Sequence, residues 1–304
     1  EIFKAKAGPA SRFLPGKLAT VKASILGLPE RGKTYAGGVF AEELLENGIQ
    51  TIVLDSVGVW YGLRLGANGK GRGYDIHIFG GEHGDLPLIP TAGAVLAETL
   101  VRTRKSAIID TTGFATEAEQ RRFMADFAET FYRLKMRNKS RVTLILEEAD
   151  DWIPQMPETT ELRMLGAFQR IARKGRNFGI GLLAISQRPQ GVHKKVLNLS
   201  DVLFVFGISG KHERKAIREW TEYNEIDEDV RDKALGMLPG LKMGQCLVWA
   251  PRFGIFGVYA IRKKRTFAPA ETQVSMHCSR LAAKWRRSAC CSGLGAALST
   301  ASLR

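Results

Sequence analysis

The stretch Gly27-Leu28-Pro29-Glu30-Arg31-Gly32-Lys33-Thr34 constrains this chain more than any other. It follows a β-rich run, Thr20–Leu26, and opens a helical one, Tyr35–Glu46. A glycine-rich turn between a strand and a helix leaves backbone N–H groups facing inward beside the positive end of the helix, an arrangement suited to phosphate. The spacing G-x-x-x-x-G-K-T adds a lysine that reaches β- and γ-phosphates and a hydroxyl, on Thr34, that ligates Mg²⁺. A nucleoside triphosphate with Mg²⁺ is therefore the expected ligand, and all eight positions of the loop are candidate contacts. Pro29, Glu30 and Arg31 are bulky for such a loop, so Glu30 must turn outward or pair with Arg31. A chance glycine turn ahead of a helix is the bland alternative, and the strand–helix setting speaks against it.

The rest of the pattern repeats that strand–helix alternation. Short apolar runs at Thr51–Asp55, Ile76–Phe79, Ala107–Asp110, Val142–Glu147, Ile180–Ser186, Val202–Gly207, Gln245–Trp249 and Ile255–Ile261 are candidate strands. Several are continuous, as in Val142-Thr143-Leu144-Ile145-Leu146, which is how strands covered on both faces read. Between them lie helical stretches. In Thr116–Met136, Phe123, Phe127, Phe131 and Leu134 share one stripe, with Arg121, Arg122, Asp126, Glu129 and Arg133 mostly off it. The expected fold is α/β, a P-loop NTPase with a central, mostly parallel sheet flanked by helices.

Two further strand ends carry chemistry. Leu146-Glu147-Glu148-Ala149-Asp150 is an apolar strand ending in adjacent carboxylates. Glu147 suits the metal side and Glu148 suits orienting and deprotonating a water; neighbours on a strand point to opposite sides, so both serve one site only where the strand ends. Leu183-Ala184-Ile185-Ser186-Gln187-Arg188-Pro189 is a second such strand, and Gln187 is a candidate contact to the γ-phosphate or the attacking water. Arg170-Ile171-Ala172-Arg173-Lys174-Gly175-Arg176, just before it, reads either as favourable charge at a helix C-terminus or as a cation supplied to a neighbouring subunit's phosphates.

These segments, in this order, resemble the HerA/FtsK superfamily of P-loop ATPases, and within it the central domain of HerA-type proteins. The resemblance runs from about Ala19 to Tyr259. It takes in Val53-Leu54-Asp55 with Gly58 and Tyr61-Gly62-Leu63, Ile108-Ile109-Asp110, Arg173-Lys174-Gly175-Arg176-Asn177-Phe178-Gly179, and Ser186-Gln187-Arg188-Pro189. It implies a RecA-like domain that hydrolyses ATP at subunit interfaces of a hexameric ring and moves double-stranded DNA, with Arg173 or Arg176 reaching across the interface. A partner nuclease is a further implication. The usual metal-side Asp is Glu147 here, one methylene longer. The barrel that precedes this domain in full-length HerA proteins has no counterpart in these 304 residues, and the opening Glu1 reads as the start of a fragment.

Charge fits a polyanion partner. Forty-five Lys and Arg against thirty-one Asp and Glu leave +14, which suits nucleic acid or, less specifically, an anionic membrane surface. The sequence shows no apolar run long enough for a spanning helix and no signal peptide, and four Cys without a repeated spacing suggest a reducing compartment, the cytoplasm. Zinc is not expected at His277, Cys278, Cys290 and Cys291, whose spacing is not that of a metal finger. Lys194-Lys195 reads as a channel-facing phosphate contact or as a solvated turn, and Trp60 and Tyr61 as stacking or, by preference, core residues. Residues 1–17 form an expected basic arm, 18–262 the ATPase domain, and 263–304 a basic tail expected to be mobile, with one short helix around Leu281–Arg287. The expected activity is ATP-driven translocation or unwinding of DNA. Two rivals share the chemistry: an ATP-switched adaptor for a nuclease or defence effector, and a viral genome-packaging ATPase.

Overall fold

Every residue of five strands is buried: β2 (Gln50–Asp55), β4 (Ala107–Asp110), β5 (Val142–Leu146), β6 (Ile180–Ser186) and β7 (Val202–Val205). Unbroken apolar runs dictate that, because a strand without a polar face must be covered on both sides. The structure is a computed structural model that describes residues 19–269. With β1 (Lys22–Leu26), β3 (His77–Phe79), β8 (Gln245–Ala250) and β9 (Ile255–Ala260) these strands form a nine-stranded sheet, ordered β3-β4-β2-β5-β6-β1-β7-β8-β9. All pairs from β3 to β7 are parallel; β7–β8 and β8–β9 are antiparallel. The expected α/β fold with a mostly parallel sheet is what forms, and all nine expected strands are present with ends shifted by a residue or two.

Alternate residues of each strand enter different cores, as the period of two requires. On β5, Leu144 and Leu146 join one core while Ile145 joins the other; on β6, Leu182 and Ala184 are divided in the same way from Leu183 and Ile185. One face is covered by α1 (Lys33–Glu46) through Ala36, Val39, Phe40 and Leu44, with Phe40 edge-on to Phe204 at 4.8 Å. The other is covered by α2 (Gly93–Thr103), α3 (Glu117–Lys135), α4 (Leu162–Lys174), α5 (Lys211–Tyr223) and α6 (Glu228–Met237). On α3 the phenylalanine stripe is buried as its spacing predicts, and Thr116 caps the helix by accepting the Glu119 N–H at 3.2 Å. Asp126 and Glu129, off the stripe, each pair with Arg163 of α4 at 2.7 Å.

The first compact unit of the chain continues past Arg262 to Phe267. The reason is an acid on α1. Glu42, fully buried, accepts the backbone N–H groups of Arg265 and Thr266 at 2.9 Å, the Thr266 hydroxyl at 2.7 Å and the Arg262 guanidinium at 2.6 Å. Glu43 takes a second Arg262 nitrogen at 2.6 Å, and Glu46 pairs with Arg265. Residues 262–267 are thus a strap over the helix that follows the glycine loop, and Phe267 N–H closes it onto Leu65 O at 3.2 Å. The basic arm at 1–17, the tail beyond 269 with its expected helix, and the His277, Cys278, Cys290 and Cys291 group lie outside the described residues.

Candidate nucleotide site

The loop leaves β1 at Leu26 and curls against the strand next door. A β-carbon on Gly27 would lie 2.7 Å from that of Phe206, so only glycine lets the chain pass. Leu28 N–H bonds Gly207 O at 3.3 Å, and Gly32 stands at φ +91°, a left-handed backbone that favours glycine. Pro29 and Glu30 are exposed at the tip, which answers the question of Glu30: it turns outward. Arg31 does not pair with it through the loop interior; its guanidinium packs beside Gly207 and reaches Leu241 O at 3.5 Å. Gly32 has no side chain to cap α1, so the N–H groups of the first turn remain available to an anion.

Lys33 is 5% exposed, and its ammonium folds back to Leu28 O at 2.5 Å. Burial pulls its pKa down to about 8, while the charges of Glu148 and Glu147 act upward. Next to it, the Thr34 hydroxyl donates to Glu147 Oε1 at 2.5 Å. Glu147 is 2% exposed at the end of β5. Its N–H bonds Leu54 O at 3.0 Å, and its carbonyl accepts the Trp152 indole at 2.8 Å. Burial pushes its carboxyl up to about 8, helped by Asp55 and Glu148 and opposed by the hydrogen bonds from Thr34 and Trp60. Asp55, at the end of β2, is likewise pushed up to about 6 by burial, against three backbone N–H donors.

Glu148 has a left-handed backbone, φ +45° and ψ +63°, uncommon for a residue with a side chain. Sequence logic required the strand to end before both acids could face one site; it ends at Leu146, and the turn at Glu148 redirects the second carboxylate. That carboxylate accepts the side-chain amide N–H of Gln187. Gln187 follows β6, which lies between β1 and β5, so the sheet order itself places it between loop and acids. Ser186 holds the turn there, donating to Asp150 at 2.7 Å and accepting the Arg188 N–H at 2.9 Å.

Lys33, Thr34, Glu147, Glu148 and Gln187 therefore come together, and the two arginines do not join them. Arg173 is exposed on the last turn of α4. Arg176 pairs with Asp201 and bonds Thr20 O at 3.3 Å, at the start of β1, opposite the end that carries the loop. Lys194 and Lys195 are exposed. Lys194 lines a cavity of about 260 Å³ together with Gln190, Asn198 and Lys215, which shares no residue with the nucleotide site. What the sequence reading missed is Trp60: it is buried, but its indole N–H is spent on Glu147 Oε2, at 3.2 Å. The one signal available was that a buried indole must find an acceptor.

Among the described residues no group of three His, Cys, Asp or Glu side chains could hold a metal, and no helix is long and apolar enough to cross a membrane. The hard oxygens of Thr34 and Glu147 suit Mg²⁺, which takes few protein ligands and completes its shell with water and substrate phosphate.

No family model matches the chain. Over 123 residues it is 32% identical to a probable DNA double-strand break repair helicase HerA of Methanocaldococcus jannaschii, covering 40% of this chain and 22% of that protein. Over 125 residues it is 28% identical to the DNA double-strand break repair helicase HerA of Pyrococcus furiosus, again 40% of this chain and 22% of that protein. The matched region thus spans 22% of the length of these curated relatives. Among solved structures, the genome packaging NTPase B204 of Sulfolobus turreted icosahedral virus 2, in complex with sulfate, matches with a TM-score of 0.54 at 14% identity, over 82% of this chain and 99% of that one. At that identity the likeness is one of fold. The chain has the α/β fold of the P-loop NTPases, and part of its sequence is similar to HerA helicases.

Proposed function

We propose that this chain is the ATPase unit of a ring-shaped, ATP-driven double-stranded DNA translocase or helicase of the HerA type. The observation that carries the reading is the Thr34–Glu147 contact beside Lys33, with the Glu148–Gln187 pair on the neighbouring strand end. In this reading the loop N–H groups and Lys33 bind the ATP phosphates, and Lys33 exchanges the Leu28 carbonyl for phosphate oxygen. Thr34 and Glu147 would hold Mg²⁺, whose chemistry is to offset charge on the β- and γ-phosphates. Glu148 orients and deprotonates the attacking water, and Gln187 fixes where Glu148 points.

A cation beyond Lys33 is needed for the charge that develops on the γ-phosphoryl oxygens. Arg173 and Arg176 lie at the far ends of the strands from their own loop, a placement that supports action on a neighbour in a ring, read as a hexamer. The net charge of +14 supports a DNA backbone as the substrate track.

ATP turnover with and without duplex DNA tests the reading. A motor's turnover rises on adding duplex and disappears in Lys33→Ala; turnover indifferent to DNA would favour an ATP-switched adaptor, and turnover that survives in Lys33→Ala would remove the site assignment.

A further inference from the structure

Trp60 is seated from two sides. The backbone N–H groups of Val57, Gly58 and Trp60 converge on the buried Asp55 carboxylate at 2.9, 2.8 and 2.9 Å, which pins its turn to the end of β2. The far edge of its ring lies over Gly37 of α1, where a β-carbon would come within 3.2 Å of Trp60 Cη2. Gly37 is thus a notch in the helix that begins with Lys33 and Thr34. From this seat the indole N–H meets Glu147 Oε2 at 3.2 Å, while Thr34 occupies Oε1 at 2.5 Å.

The pairing has a chemical logic. Filling the space needs only a ring, and phenylalanine would supply one; an indole brings a donor that must be satisfied, and here the acceptor is a carboxylate. Glutamate has one more rotatable bond than aspartate, so a metal-side Glu loses more freedom on being held in one orientation. Donors on both oxygens remove that freedom before any ligand arrives, as outer-shell donors do for metal-binding carboxylates.

We propose that Trp60 is a positioning residue for Glu147: its indole N–H holds Oε2 and so keeps Oε1 turned toward Thr34, ready for the Mg²⁺ that accompanies ATP. The inference rests on the ATP–Mg²⁺ reading of this site and adds to it a residue outside the loop and the acidic strand end. The competing account is that Trp60 only packs.

The test is calorimetric titration with a non-hydrolysable ATP analogue, with and without Mg²⁺, on wild type, Trp60→Phe and Leu63→Ala. Leu63 is a buried neighbour in the same turn with no part in the Glu147 contact, and controls for lost packing. Trp60→Phe is expected to keep the Mg²⁺-free affinity and to lose about ten- to a hundredfold of the gain that Mg²⁺ confers, while Leu63→Ala keeps that gain. If wild type and Trp60→Phe gain equally, this inference is overturned and the site reading stands. A wild type that gains nothing from Mg²⁺ overturns the site reading and this inference with it. Should Trp60→Phe fail to fold, hydrogen exchange of the wild-type indole N–H decides. Protection that Glu147→Ala abolishes supports the contact, and fast exchange in the wild type overturns it.

Discussion

The hydroxyl of Thr34 donates to Glu147 Oε1 at 2.5 Å, joining the first turn of α1 to the end of β5 across 113 residues of chain. β6 lies between β5 and the β1 strand that feeds the loop, so this contact bridges two strand spacings, about 10 Å of sheet. The space so bridged is where Lys33, Glu148 and Gln187 face one another.

Loss of chemistry and loss of binding should separate at this site. Lys33→Ala is expected to weaken ATP binding and cut turnover by about a hundredfold or more. Glu148→Gln should bind ATP normally and lose about two to four powers of ten in turnover, since only the base is removed. Equilibrium binding measured beside steady-state turnover checks the split.

The buried acid gives a pH signature. The Glu147 carboxyl ionises near 4.5 in an unfolded chain and about 8 in the folded one. Between those values the folded state keeps a proton the unfolded state has lost. Its contribution to stability is therefore full below about 4.5 and is lost as the pH rises through about 8. Glutamine does not ionise. The melting temperature of Glu147→Gln should therefore gain on the wild type between about pH 5 and about pH 8, by at least about 2 °C. A difference that shrinks over that range would contradict the assignment.

The strap makes a stability prediction. Glu42→Ala leaves two backbone N–H groups and the Thr266 hydroxyl without their acceptor and takes one carboxylate from the Arg262 guanidinium, which keeps Glu43, a change worth about 3 kcal/mol. Thermal melts should show a fall of roughly 10 °C. An unchanged melt would mean the strap contributes nothing to α1.

The arginines are separable by stability. Arg176 holds the nearly buried Asp201, whereas Arg173 is exposed. Arg176→Ala should lower the melting temperature as well as turnover; Arg173→Ala should leave the melt alone. If Arg173 acts in trans, its alanine variant loses about three to five powers of ten in turnover yet binds ATP. Mixing it with Lys33→Ala then restores some hydrolysis, because a hybrid interface pairs an intact lysine with an intact arginine. No rescue in rings shown to be mixed would end the shared-site idea.

DNA binding should be largely independent of sequence and steeply salt-dependent. Removing residues 270–304 takes away five Lys or Arg and one Glu and leaves the strap intact. The slope of log affinity against log salt should flatten while basal turnover is kept; an unchanged slope would exclude the tail as a contact.

What could be read from sequence was what is local. The loop, the two strands ending in Glu147-Glu148 and in Gln187, and the phenylalanine stripe of α3 each carry their signal within a few residues, and each is found where its pattern places it. What escaped depends on partners far apart in the chain. Lys263-Lys264-Arg265 looked like the start of a basic tail because the acids that engage this segment, Glu42, Glu43 and Glu46, stand over 200 residues earlier. Trp60 looked like core because nothing nearby in sequence marks Glu147 as the acceptor of its indole. Arg176 reads as a helix-end charge or as a cation for a neighbour's phosphates, while the Asp201 that holds it follows a full strand later.

The strap also decides how a pull on the chain would be felt. A tension applied beyond Phe267 meets first the Phe267–Leu65 hydrogen bond, then the Glu42 carboxylate and the Arg262–Glu43 pair, and so α1, before it reaches β9. The same helix presents Lys33 and Thr34 at its other end. One rigid rod, about 20 Å long for its 14 residues, thus has the proposed phosphate grip at one end and the chain's mooring toward the other, like a lever with both hands on it.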